Sequence, residues 1–154
     1  MCSTVNPRGR GILLAIAMLA LAGALVSSVS LYHHYRTSPT SYCDIGETFN
    51  CDLVNRSTYS SVLTIPVAVI GIVGYIALLA LATLYRGKEE TPAMLLIASL
   101  VGLGFALYLT YVEAFILAVW CILCLSSLIL ILGIAMLSSV LVMQRRARSE
   151  TKHC

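Results

Sequence analysis

Residues 116–143 read ILAVWCILCLSSLILILGIAMLSSVLVM, an apolar run with no charged side chain and with two cysteines three apart near its head. A run of this length predicts a helix that crosses a bilayer, since about 20 helical residues span the hydrocarbon core. Working outward, similar uncharged stretches lie at about 11–31, 62–85 and 92–112. These four account for most of a 154-residue chain that is 59% hydrophobic and only 11% charged, which excludes a soluble domain. The expected fold is therefore all-α: a four-transmembrane-helix bundle forming one membrane domain over residues 1–154, with a polar loop at 32–61 between the first two helices.

Charge placement predicts the orientation. Of ten Lys and Arg residues, Arg8, Arg10, Arg86, Lys88, Arg145, Arg146, Arg148 and Lys152 fall on one side if the chain crosses four times. Arg36 and Arg56 alone lie in the 32–61 loop. The positive-inside rule makes the crowded side cytoplasmic, with both termini inside and the 32–61 loop and the 113–120 connection outside. Arg8 and Arg10 ahead of an apolar run also resemble a secretory leader, but the run to about residue 31 has span length. Removing it would not change where the later cysteines face.

That outside face would carry two cysteine pairs, Cys43 with Cys51 in the loop and Cys121 with Cys124 at the head of the fourth span, in a compartment where disulfides persist. On a helix, residues three apart share a face, so Cys121 and Cys124 can act on one partner. A helix start, with its unpaired N–H groups, favours an anionic sulfur on the first cysteine. The bland reading is a pair of small apolar core residues. Cys43 and Cys51 enclose a short loop containing Gly46, so a disulfide there closes at low entropic cost and is easy to make and to open; the bland reading is a structural staple. Two dithiols on one face point to thiol–disulfide exchange. No flavin, nicotinamide or haem motif is present, and no second ligand pair completes a zinc site, so no metal is expected. By elimination, a lipid-soluble quinone is the expected electron acceptor. Cys2 and Cys154 read as cytoplasmic bystanders.

Other residues carry weaker signals. Tyr32, His33, His34 and Tyr35 suit a wet membrane edge, with both histidines solvated. Pro66 suits the first turn of span two, and Gly71 and Gly74 permit close helix approach. Thr91 and Pro92 read as an N-cap and first position, and Ala98, Gly102 and Ala106 form a stripe for helix packing. The 113–120 connection is almost wholly apolar and should lie at headgroup level, anchored by Trp120, with Glu113 as a solvated helix end; the competing role for Glu113 is proton handling.

The pattern Cys43-Asp44-Ile45-Gly46, Cys51, Ser57 and then Cys121-Ile122-Leu123-Cys124 on the last span resembles the vitamin K epoxide reductase family in its bacterial form, over roughly residues 11–143. DsbB-type proteins also have four spans and two cysteine pairs, but in the reverse order. The resemblance implies a thiol:quinone oxidoreductase of the bacterial cell membrane. In it Cys43 meets a thioredoxin-like (DsbA-like) partner, Cys51 exchanges with Cys121, and Cys124 faces the quinone, be it ubiquinone, menaquinone or vitamin K. Ser57 matches a loop serine or threonine near the family's active site. Members that bind vitamin K often carry a tyrosine four residues after the second cysteine, where this chain has Leu128. That departure favours quinone reduction over the alternative, reduction of vitamin K epoxide. Many bacterial relatives carry a fused thioredoxin domain; with the last span ending near the end of this chain, a separate redox partner is expected, and no nucleic acid. The reading of another class is a small four-span transporter or scaffold with structural disulfides.

Overall fold

The computed structural model describes residues 7–35, 44–45, 49–50, 53–54, 57, 61–62, 65–84, 88 and 90–151, with side chains described for most of these. Helix α1 spans Pro7–Tyr35. Two small antiparallel ladders follow, β1 (Asp44–Ile45) with β2 (Phe49–Asn50) and β3 (Ser61–Val62) with β4 (Ile65–Pro66). Helix α2 covers Val67–Thr83, α3 covers Thr91–Val112, and α4 covers Ile122–Thr151.

Three stretches are long and apolar enough to cross a membrane, Gly9–Tyr35, Thr91–Leu117 and Ile122–Ala147; α2 is apolar but shorter. Its 17 residues rise about 25 Å, a little under the thickness of a hydrocarbon core. The chain ahead of it is extended, because Pro66 holds a β-region backbone (φ −57°, ψ 132°) and closes the Ser61↔Pro66 pair. Pro66 thus precedes the helix rather than filling its first turn. In α3 the cap position is Glu90, with no side-chain bond, and Thr91 and Pro92 enter the first turn one place later than expected.

α1 packs extensively on α2 and α4, and α3 on α4, whereas α2 and α3 touch more lightly. The inward stripe of α1 is Leu13, Ile16, Ala17 and Ala20, a spacing that keeps one face toward the bundle. It meets Tyr75, Leu78 and Ala82 of α2 and Ile131, Ile134 and Leu141 of α4. Small residues set the close approaches. A Cβ on Gly102 would lie 3.2 Å from Ile131, so the α3 stripe does pack against α4, and a Cβ on Gly71 would lie 2.8 Å from Ser27 Oγ. Gly74, by contrast, faces open space. Outward residues are also apolar, among them Met18 and Leu25 on α1, Val73 on α2, Val101 on α3 and Ile129 and Met136 on α4. Helices apolar on both faces are stable only when lipid covers the outer one.

The third helix does not stop at Val112. A π-helical turn, Glu113–Leu117, extends it, and Ala118 ends it in the left-handed conformation (φ 53°). Residues 116–117 therefore belong to the third helix, and the fourth begins at Ile122 rather than near 116. An apolar run without glycine or proline offers no local sign of that break.

Candidate active site

The break sets up the chemistry. Where the chain reverses, the Glu113 carbonyl accepts the N–H groups of Ala118 and of Val119 (3.3 Å). The Glu113 side chain then accepts the Cys121 N–H at its Oε2 (3.2 Å). Cys121 occupies the cap position of α4 and supplies the carbonyl for that helix's Leu125 N–H (3.0 Å), which leaves Cys124 in the first turn. Sequence spacing thus becomes geometry: a Cys-x-x-Cys on the opening turn, both sulfurs free thiols.

Cys121 is fully buried, under Val54 and beside Leu117 and Val119. Glu113 is 1% exposed, so it is not a solvated helix end; the turn folds back over it and α3 carries it inward. One carboxylate oxygen of Glu113 and the two cysteine sulfurs lie within 4.8 Å of one another. Its Oε1 has no hydrogen-bond partner among the described residues. These three donors are one short of a closed four-ligand zinc set.

Cys124 and Glu113 open onto a cavity of about 550 Å³. Its walls come from 26–34 of α1, 67–78 of α2, 98–112 of α3 and 123–131 of α4, so successive helices run in opposite directions and the cavity reaches from the Cys124 end well into the bundle. Apolar residues such as Ile70, Phe105 and Leu109 dominate the lining, a character suited to a flat apolar molecule with few polar anchors. One anchor is the Tyr75 hydroxyl, which donates to the Ser127 carbonyl (2.9 Å) and shares a bond with Ser127 Oγ (2.8 Å). Tyr75 reaches this position because α1 presents Gly23, where any Cβ would collide with the Tyr75 ring.

Of the residues singled out from sequence, the structure brings together Cys121, Cys124 and Ser57. Ser57 lies on the cavity wall, its N–H (3.3 Å) and Oγ (2.8 Å) both donating to the Val54 carbonyl. Cys43 and Cys51, and likewise Cys2 and Cys154, lie outside the described residues. Leu128 is half-buried beside Ser127 but does not line the cavity. His33 is fully buried rather than solvated, with its ring edge against Tyr32, because the wet edge expected there is still part of α1. Tyr75 and Ser127 gave no sequence signal beyond being polar atoms within apolar spans. Glu113 gave one, a lone carboxylate eight residues before Cys121.

Apolar helices that bury a Cys-x-x-Cys and open its second cysteine onto an apolar cavity define an integral membrane protein with a thiol site. The family model of the vitamin K epoxide reductase family matches residues 14–139, a stretch that contains Cys43, Cys51, Cys121, Cys124 and Ser57. The chain belongs to the vitamin K epoxide reductase family. Membership makes it a membrane-bound oxidoreductase, of a family whose substrates are quinones of the vitamin K type.

Proposed function

We propose that this protein is a thiol:quinone oxidoreductase that oxidises a separate thioredoxin-like protein and so supports disulfide-bond formation. The observation that carries this reading is the free Cys121–Cys124 pair, with Cys121 buried and Cys124 on the wall of an apolar cavity of about 550 Å³. In the proposed relay, the partner's dithiol reduces a Cys43–Cys51 disulfide, Cys51 exchanges with Cys121, and Cys124 delivers the electrons to quinone. Support for the loop's part comes from Val54 and Ser57, three and six residues along the chain from Cys51, which pack at Cys121 and on the cavity wall. The relay needs a four-span arrangement with both termini cytoplasmic and both cysteine pairs on the extracytoplasmic face, which the distribution of Lys and Arg favours. Ser57 supports the site by tying down the turn after Val54.

The chemistry balances without a metal, flavin or haem. Two S–H bonds break, one S–S bond forms, and two electrons and two protons convert quinone to quinol. The test is quinone reduction by the purified protein in lipid, with a reduced thioredoxin-fold protein as donor. Cys124→Ser should fall to the uncatalysed rate and Cys121→Ala should lose turnover. Wild-type rates in Cys124→Ser would sink the redox reading and favour a transporter or scaffold. Offering vitamin K epoxide in place of quinone decides between the two family activities, and the absence of a tyrosine at Leu128 favours quinone.

A further inference from the structure

We propose that Glu113 is the catalytic residue that moves protons between the Cys121–Cys124 thiols and the bound substrate, which rests on the thiol:quinone reading above. Thiol oxidation must dispose of two protons, and quinone reduction must take up two. Cys121 is fully buried and Cys124 opens onto an apolar cavity, surroundings in which water is a poor carrier. Among the described residues, Glu113 is the carboxylate within 4.8 Å of both sulfurs. It lines the same cavity as Cys124 and is almost fully buried, and its Oε1 has no hydrogen-bond partner among the described residues. Among the described residues, the other ionisable side chains on that wall, Tyr75 and His34, come from α2 and α1, and the Tyr75 hydroxyl is occupied by Ser127. A general base must reach the proton it takes before any other property matters, and from within 4.8 Å of both sulfurs Glu113 meets that condition through one bridging water or a small side-chain rotation.

The step runs as follows. As each S–H bond breaks, the carboxylate takes the proton and releases it to a ring oxygen. Two such transfers, one per thiol, accompany S–S bond formation and the passage of two electrons to the ring. The products are one disulfide and one quinol, and Glu113 ends as it began. Its Oε2 contact with the Cys121 N–H keeps the carboxyl in place throughout.

Positioning and proton transfer are separable by substitution. Glu113→Gln keeps an oxygen to accept the Cys121 N–H and leaves the main-chain ties to Ala118 and Val119 intact, but it cannot exchange a proton. In single-turnover reactions of pre-reduced protein with a short-chain quinone, E113Q should be slowed about 100-fold or more, with little change in quinone affinity. Driven to completion with a chemical oxidant, its Cys121–Cys124 pair should still reach the wild-type extent of disulfide, whatever the rate. Glu113→Asp should retain more activity than E113Q, and formate should restore part of the rate to Glu113→Ala. An E113Q rate equal to that of wild type, or an activity order with Gln above Asp, would overturn the proposal, as would a failure of formate to act should E113Q not fold. A wild-type protein that fails to reduce quinone at all would instead sink the functional reading beneath it.

Discussion

Tyr75 shows how one polar atom on an apolar helix shapes a site. Its ring fills the space that Gly23 leaves on α1, and its hydroxyl is held on Ser127, three residues beyond Cys124. Removing the hydroxyl in Tyr75→Phe forfeits its two bonds to Ser127, each worth about 1 kcal/mol, and leaves Ser127 Oγ less well satisfied. The expected result is a small drop in thermal stability in detergent with the bundle intact. Gly23→Leu should be far worse, because the ring has to leave its place and the cavity wall moves with it; thermal unfolding and quinone affinity both report this. Neither residue was legible in the chain. A tyrosine among valines and isoleucines reads as one more apolar position until its neighbours are known.

At the scale of elements, the junction from α3 to α4 decides where the thiols go. Ala118 occupies the left-handed region, at a cost of about 1–2 kcal/mol that the bonds to the Glu113 carbonyl offset. Ala118→Gly should therefore be tolerated, whereas a β-branched residue does not fit that backbone. Ala118→Val is expected to lower the melting temperature and slow Cys121–Cys124 disulfide formation, measured by thiol trapping. The apolar runs made the helices predictable, since uncharged segments of span length have few alternatives to a helix. The end of α3 was not predictable, because 113–120 contains no breaker and its reversal depends on a turn folding back on Glu113. The same fold-back buries Glu113, so the sequence position that reads as a wet helix end becomes an interior one. Cys121 and Cys124 were legible because their spacing alone places them on one helix turn.

For the whole molecule, the proposed topology makes a direct prediction for intact cells. A membrane-impermeant thiol reagent should modify Cys43 and Cys51 from outside after reduction, and Cys2 and Cys154 only after permeabilisation. Labelling of Cys43 from the cytoplasm alone would reverse the orientation and remove the relay. The bundle supplies a further property through its uneven packing. Of the four neighbouring helix pairs α2 and α3 pack most lightly, both line the cavity, and the outer faces of all four helices are apolar. A substrate as apolar as these walls dissolves in the bilayer before it meets the protein. Occupancy of the cavity is then governed by the substrate's mole fraction among lipids, so the enzyme's effective affinity is a property of the membrane it sits in as much as of its own side chains.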